Sequence, residues 1–179
     1  GFVEVPADAD VEISALVLDS RDVVRGALFF GIRGDRLDGR EYVPEAVQAG
    51  AAAVICEAKW QVPDGLAVPC FVVDDLRRKI ALIANRFYGF PSRVLYIVGL
   101  TGTNGKTTCG FLLAQALECL GRRSAFIGTI GSGLIEQLEP NHLTTPDAIE
   151  LQHTLADFVG RDAHSVCMEV SSHALSQHR

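Results

Sequence analysis

The sequence has no apolar run long enough to cross a membrane and no surplus of positive charge. No apolar stretch approaches the roughly 18 residues that a membrane-spanning helix needs. Acidic residues outnumber basic ones, 22 against 16, and no basic stripe is interleaved with aromatic residues, which argues against nucleic-acid binding. Glu4, Asp8 and Asp10 stand where a signal peptide would carry positive charge and then an apolar stretch. We therefore expect a soluble, cytoplasmic protein that is not inserted in a membrane.

Cysteines at C-x-x-C spacing are also absent. The five cysteines are odd in number and mostly lie inside apolar segments: Cys56, Cys70, Cys109, Cys119 and Cys167. This pattern favours structural thiols in a reducing compartment over disulfides or a zinc site. The sequence is rich in hydrophobic residues, which make up 48% of its 179 positions. That is enough to form the core of one large domain or of two small ones.

The first half alternates short strands and helices. Periodicity predicts strands over residues 15–19, 27–32, 53–56 and 70–73, a helix over 42–49 that Gly50 ends, and a second helix opening at Asp74 or Asp75. The breaker sequence at residues 89–92 follows that helix. We place a domain boundary there, with one domain over residues 1–90 and a second over 91–179.

The second half repeats the alternation. Strands are predicted over residues 95–100, 124–127 and 165–170, with a helix over 107–120 and a glycine-rich loop after the second strand. Another helix is predicted after Thr145 as its N-cap, with Pro146 at its first position. Continuous apolar strands alternating with helices predict an α/β fold with a parallel sheet.

A glycine-rich turn between the strand at 95–100 and the next helix is typical of a phosphate-binding loop. The sequence TGTNGKTT at 101–108 lets backbone N–H groups converge at a helix N-terminus, with Lys106 available for the outer phosphates and Thr107 for magnesium. The match to G-x-x-x-x-G-K-[ST] is a variant one, because Leu100 stands at the first glycine position. The alternative is a tight strand-to-helix turn with an exposed lysine.

A second candidate is the end of the last strand. Ligands of parallel sheets bind beyond the carboxyl ends of the strands, where Glu169 is expected. This carboxylate would hold magnesium opposite the phosphate-binding loop, with His173 as a further ligand or orienting residue. The alternative, for a strand-end acid and a loop histidine, is simple solvation. The polar segments at residues 18–21 and 34–40 carry no chemistry that the residues alone reveal, and solvated turns explain them equally well.

Six short segments, in order, resemble the Mur ligase family, and most closely the members that add the third amino acid of the peptidoglycan stem. They are DSR at 19–21, DGR at 38–40, TGTNGKTT at 101–108, GTIG at 128–131, TTP at 144–146 and MEVSSHALSQHR at 168–179. Their order and approximate spacing cover nearly the whole chain. One such motif would be suggestive, whereas six in order are specific.

The resemblance implies a site for each substrate. The first half would be a small α/β domain that binds UDP through Leu18, Ser20, Asp35, Arg36 and Leu37. The second half would be the first part of a P-loop ATPase domain that binds ATP through Gly102, Thr103, Asn104, Gly105, Lys106, Thr107 and Thr108. The muramoyl-dipeptide would contact Thr144, Thr145, Ser171, Gln177 and Arg179. Magnesium would be held by Thr107, Glu169 and His173, and the catalytic residues would be Lys106, Glu169 and His173.

The implied reaction is ATP-dependent amide-bond formation. ATP would phosphorylate the free side-chain carboxylate of D-glutamate in UDP-N-acetylmuramoyl-L-alanyl-D-glutamate, and the amine of meso-diaminopimelate or lysine would displace phosphate from the acyl phosphate. The resemblance also implies further sheet strands, a carbamylated lysine and a C-terminal domain that this sequence lacks. We therefore expect an N-terminal fragment that does not turn over alone.

Three other functions are compatible with parts of the sequence. A nucleotide- or UDP-sugar-binding module without catalysis would share the same motifs. Folylpolyglutamate synthetase, or another ATP-dependent amino-acid ligase, shares TGTNGKTT but has no UDP to bind, so the DSR, DGR and TTP segments argue against it. A generic P-loop kinase would explain neither the two halves nor the MEVSSH segment.

Overall fold

The computed structural model of the chain describes residues 6–34, 37–63, 65–140 and 146–171. Contacts divide the chain into two units, residues 1–79 and 80–179. The division falls within helix α2 (Leu76–Phe87), which buries Leu76, Ile80 and Ala84 at helical spacing. The domain boundary near residue 90 stays a prediction.

The first unit contains a four-stranded parallel sheet whose spatial order follows the chain. Its strands are β1 (Ala15–Val17), β2 (Ala27–Gly31), β3 (Ala53–Glu57) and β4 (Cys70–Val73). Helix α1 (Val43–Ala49) lies between β2 and β3 and ends at Gly50, whose φ of +111° is a left-handed conformation that glycine adopts without strain. Single turns of 3-10 helix follow β1 at Ser20–Asp22 and precede α1 at Gly39–Tyr42.

The core of the first unit forms where α1 packs on the sheet. All five residues of β2 are buried, as expected for a strand covered on both faces. Phe29 of β2 and Val54 of β3 pack in one cluster with Val43 and Ala46 of α1. The carboxyl ends of β1 and β2, with the loops that follow them, lie beside this core.

The second unit contains a five-stranded sheet in the order β5-β9-β6-β7-β8. Its strands are β5 (Tyr96–Leu100), β6 (Ser124–Gly128), β7 (Gly131–Leu134), β8 (Gln137–Glu139) and β9 (Ser165–Glu169). The strands β5, β9 and β6 are parallel, whereas β7 and β8 are antiparallel additions beyond β6. Its helices are α3 (Lys106–Cys119) and α4 (Ala148–Gly160), and a 3-10 turn at Pro91–Arg93 precedes β5.

The two helices cover opposite faces of this sheet. Val166 and Met168 of β9 pack in a cluster with Leu155 and Phe158 of α4. Cys167, which points to the other face because strand side chains alternate, packs in a cluster with Ala114 of α3. The helix α3 therefore lies on the face that carries the odd-numbered side chains of β9.

The α/β class is confirmed, with three corrections. The glycine-rich loop after β6 is largely a β-hairpin, β7 and β8, so the sheet is mixed rather than wholly parallel. Helix α4 is capped by Asp147, whose carboxylate accepts from the amides of Ile149 (2.8 Å) and Glu150 (2.9 Å), so the prediction of Thr145 as N-cap was wrong. Helix α3 begins one residue early, at Lys106.

All five cysteines are free thiols. Cys56 and Cys167 are buried, Cys70 is half-buried, and Cys109 and Cys119 are exposed. No helix within the described ranges is long and apolar enough to span a bilayer.

Candidate functional site

In the first unit, a cavity of about 410 Å³ opens at the carboxyl ends of β1 and β2. The predicted residues Leu18, Ser20 and Leu37 all line it. The structure therefore brings together three residues from two loops that the sequence alone left without a function. The remaining lining residues include Phe29, Tyr42 and Glu45, which sequence reasoning did not single out.

Two turns with the same hydrogen-bond pattern lie in the loops beside this cavity. In the first, the carboxylate of Asp19 accepts from the amide of Arg21 (3.0 Å) and from its guanidinium (2.9 and 2.5 Å). In the second, Asp38 accepts from Arg40 in the same way, at 3.1, 2.8 and 2.6 Å. The DSR and DGR segments are thus Asp-x-Arg turns, in which the aspartate caps a 3-10 turn and holds the arginine two residues on.

In each turn the aspartate and the arginine form an ion pair with each other. The side-chain hydrogen bond from Arg21 holds the pKa of Asp19 at about 2, well below its ordinary value. The hydrogen bond from Arg40 lowers the pKa of Asp38 in the same sense. The second pair is the less exposed one, and Arg40 also donates to the carbonyl of Ala58 at 3.4 Å.

Ser20 is the buried polar side chain of the cavity. Only 7% of the residue is exposed, and within the described ranges its hydroxyl has no hydrogen-bond partner. A buried hydroxyl without a partner carries a free-energy cost that a bound polar ligand would remove. Ser20 is therefore suited to anchor a ligand that donates or accepts a hydrogen bond in this cavity.

In the second unit, the loop between β5 and α3 has the backbone of a phosphate-binding turn. Gly102 and Gly105 have φ angles of +138° and +77°, conformations that favour glycine. Gly105 is the N-cap of α3, and the loop residues 101–105 are exposed. The positive end of the α3 dipole and the free amides of its first turn therefore face solvent at this loop.

Lys106 curls back over the loop. Its Nζ donates to the carbonyl of Gly102 at 2.6 Å, so the ammonium lies above the glycine-rich turn. Thr107 and Thr108 follow in the first turn of α3, and Thr103 and Asn104 lie in the exposed loop. The structure thus places the seven predicted ATP-binding residues, 102–108, in the loop after β5 and the first turn of α3.

Glu169 lies at the same edge of the sheet as this loop. It is the register partner of Leu100, the last residue of β5, and it shares a sheet face with Cys167, on the α3 side. Only 1% of Glu169 is exposed, and its carboxylate accepts from the amide of Thr129 (2.8 Å) and from the Thr129 hydroxyl (3.2 Å). Sequence reasoning did not assign this partner.

These residues suit a magnesium ion that is bound together with a nucleotide. Within the described ranges no group of three or more His, Cys, Asp or Glu side chains could form a metal cage. Magnesium bound with phosphates usually needs only one or two protein carboxylates and keeps several waters. Glu169 makes no ion pair with a described residue, and two contacts from Thr129 leave lone pairs free on its oxygens.

Several predicted site residues lie outside the described residues: Asp35, Arg36, Thr144, Thr145, His173, Gln177 and Arg179. Their roles stay predictions. Ser171 is described, directly beyond β9, and follows Glu169 by two residues.

Two protein-family models match the chain, and together they cover most of it. The model described as the Mur ligase family, catalytic domain, matches residues 12–88, and the Mur ligase middle domain matches residues 100–179. The two models thus correspond to the cavity-bearing half and to the half with the phosphate-binding loop.

Curated relatives carry the name UDP-N-acetylmuramoyl-L-alanyl-D-glutamate--2,6-diaminopimelate ligase. The protein of that name from Pseudomonas putida is 48% identical over 174 residues, and the one from Pseudomonas aeruginosa is 46% identical over 175 residues. The alignments cover 97% of this chain but 35% and 36% of the relatives. The chain therefore spans about a third of the length of the curated relatives that it matches.

Solved structures show the same relationship. A ligase structure with that same name superposes with a TM-score of 0.79 at 33% identity, over 93% of this chain and 33% of the other. The MurF ligase from Thermotoga maritima, solved in complex with ADP, gives a TM-score of 0.60 at 25% identity, over 88% of this chain and 32% of the other. With the phosphate-binding turn, the buried strand-end carboxylate and both family models in agreement, the chain belongs to the Mur ligase family.

Proposed function

We propose that this chain is the substrate- and nucleotide-binding part of an ATP-dependent ligase that adds meso-diaminopimelate to UDP-N-acetylmuramoyl-L-alanyl-D-glutamate. The observation that carries the proposal is the placement of Glu169, a buried carboxylate, beside the strand that leads into the phosphate-binding loop. The names of the 46–48% identical relatives support the choice of substrate and amino acid.

The proposal assigns a part of the substrates to each unit. The cavity at Leu18, Ser20 and Leu37 takes the uridine diphosphate end, with Asp35 and Arg36 in the same loop. Residues 102–108 take the phosphates of ATP. Thr144, Thr145, Ser171, Gln177 and Arg179 contact the muramoyl-dipeptide.

The reaction proceeds by two transfers. A carboxylate oxygen of D-glutamate attacks the γ-phosphorus, the bond to the β–γ bridging oxygen breaks, and ADP leaves with that electron pair. The amino nitrogen of diaminopimelate then attacks the acyl carbon, phosphate leaves with the bridging oxygen, and the nitrogen loses a proton to give the amide. Lys106 neutralises charge on the transferred phosphoryl group in the first step.

Thr107, Glu169 and His173 would hold magnesium at this site. The ion, when bound with ATP, supplies charge neutralisation of the phosphates. Glu169 contributes a buried, oriented carboxylate, which is the type of ligand that magnesium prefers.

The test is calorimetric titration of the purified chain with UDP-N-acetylmuramoyl-L-alanyl-D-glutamate. Wild type is compared with Ser20→Ala, and with Ser132→Ala in β7 as a matched substitution of a serine that does not line the cavity. We expect binding whose Kd rises roughly three- to tenfold in Ser20→Ala only, the loss of one hydrogen bond. Absence of binding by folded wild-type chain would contradict the assignment of the cavity.

The 179 residues alone are expected to bind without turning over, since the relatives are nearly three times as long. ADP formation that depends on the UDP-substrate, measured by a coupled assay on this chain, would contradict that expectation.

A further inference from the structure

The buried carboxylate of Glu169 is held by one residue of a neighbouring strand end. Thr129, directly after β6, donates its amide to Oε1 of Glu169 and its hydroxyl to Oε2. Both oxygens are therefore fixed by a single residue that is 40 positions away in sequence. Two donors from one residue define the plane of the carboxylate as well as its position.

The residue before Thr129 makes room for this contact. A Cβ atom on Gly128 would overlap Oε1 of Glu169 and the ring of Phe126. Only glycine leaves space for the carboxylate to lie against the end of β6. Gly128 and Thr129 thus form a seat that accepts Glu169 in one orientation.

Besides leaving space for Glu169, the seat supplies hydrogen-bond donors to its carboxylate. A carboxylate with 1% exposure has lost its water, and its oxygens need hydrogen-bond donors from the protein instead. Thr129 supplies two of them, and the carboxylate lies at the phosphate-binding edge rather than in a salt bridge with a described residue. Residues that hold a metal-binding side chain in this way typically change metal affinity 10- to 100-fold when they are removed.

We propose that Thr129 is a positioning residue, whose hydroxyl orients Glu169 toward a magnesium-nucleotide complex on the phosphate-binding loop. The inference rests on the proposed function, in which Glu169 binds magnesium. Thr129 touches neither nucleotide nor metal in this account. Its effect passes through the second oxygen of Glu169, which the hydroxyl fixes at 3.2 Å.

The test measures binding rather than turnover. A fluorescent ATP analogue is titrated into wild type, Thr129→Val, Thr129→Ser and Glu169→Gln at a series of Mg²⁺ concentrations. Thr154→Val in α4 is the matched control for a threonine substitution away from this edge. We expect Thr129→Val to need about tenfold more Mg²⁺ for half of the magnesium-dependent gain in affinity. Affinity without Mg²⁺ should not change, and Thr129→Ser, which keeps the hydroxyl, should match wild type.

Two other results would overturn the positioning role of Thr129, and one of them would also overturn the proposed function. If Glu169→Gln shifts the magnesium dependence and folded Thr129→Val does not, the positioning role is wrong and the proposed function stands. If neither Glu169→Gln nor Thr129→Val shifts it, or if wild type shows no dependence on Mg²⁺, Glu169 is not a magnesium ligand and both proposals fail. Should Thr129→Val not fold by circular dichroism, Thr129→Ala removes the same hydroxyl without new bulk and is judged by the same criteria.

Discussion

Leu100 and Glu169 lie side by side as register partners of the parallel strands β5 and β9, and the amide of Val170 donates to the carbonyl of Leu100 at 2.8 Å. The residue that opens the phosphate-binding loop and the buried carboxylate are therefore joined by the backbone of the sheet. Such a connection is stiff, because sheet hydrogen bonds fix both strand ends. The distance between the backbones of Leu100 and Glu169 is therefore set by the sheet, whereas the contacts of the Glu169 side chain decide where its carboxylate lies.

Lys106→Ala should weaken nucleotide binding about 10- to 100-fold, the effect of losing one hydrogen bond to a charged group. The ammonium that lies 2.6 Å from the Gly102 carbonyl would be transferred to the phosphates when nucleotide binds. Titration with a fluorescent ATP analogue measures the effect, with Lys79→Ala in α2 as the matched control. Unchanged affinity in folded Lys106→Ala would contradict a phosphate-binding role for this loop.

Gly128→Ala should destabilise the fold by about 1–3 kcal/mol, because the added methyl group meets Phe126 and the Glu169 carboxylate where nothing can yield cheaply. Urea denaturation followed by circular dichroism measures this free energy of unfolding. Gly160→Ala is the matched control: no atom lies within 4 Å of its new Cβ, so it should be neutral or slightly stabilising. Equal stability of the two variants would show that the seat for Glu169 is looser than described.

The two Asp-x-Arg turns should contribute stability that is lost in acid. The pKa of Asp19 is about 2 in the folded chain against 3.8 for the free side chain, and that of Asp38 is also lowered. The contribution of Asp19 is therefore complete above pH 3.8 and disappears as the pH falls toward 2, and that of Asp38 is lost in the same direction. Asp38→Asn should cost about 1 kcal/mol or less at pH 7, and more than Asp19→Asn, because the Asp38–Arg40 pair is less exposed.

Urea denaturation of wild type and both variants between pH 7 and pH 2 measures this contribution. The stability difference between wild type and each variant should shrink as the pH falls through that range. A difference that stays constant from pH 7 to pH 2 would contradict a contribution from ionised aspartate.

The thiols should fall into reactive and protected groups. Cys109 and Cys119 are exposed, whereas burial protects Cys167 and raises its pKa. A hydrogen bond with Cys70, together with burial, raises the pKa of Cys56. Brief alkylation of native protein with iodoacetamide, followed by peptide mass spectrometry, should label Cys109 and Cys119 first and Cys56 and Cys167 only after unfolding. Early labelling of Cys167 would show that the α3 face of the sheet opens in solution.

Much of the fold could be predicted because its strands are short apolar runs separated by glycine and polar turns. The strand β4 and the start of β6 lie where periodicity placed them. The hairpin β7–β8 could not be recognised, since Gly131 and Gly133 are poor strand formers and stand where two backbones approach closely. Asp147 was overlooked as a cap because Thr145-Pro146 also has the sequence of a helix start.

The parts of the candidate sites that contiguous residues form could be predicted, whereas those that depend on contacts between distant positions could not. The phosphate-binding loop was predictable because its strand, glycines, lysine and helix are contiguous. Thr129 lies within the quoted GTIG segment, but its contact with Glu169 joins positions 40 apart, and no local pattern in one sequence reports such a contact. The cavity residues Phe29 and Tyr42 were hidden for the opposite reason, since each is also an ordinary member of the core.

The strand order of the second sheet also decides when it can form during synthesis. In the first unit, β1 to β4 are adjacent in chain order, so each strand can join its neighbour as it leaves the ribosome. In the second, β9 follows β5 to β8 in the chain but lies between β5 and β6. The strands β6, β7 and β8 can pair before that, whereas β5 has no neighbour to pair with until residues 165–169 are made. The edge that carries the phosphate-binding loop and Glu169 is thus completed only after the whole first unit has been made.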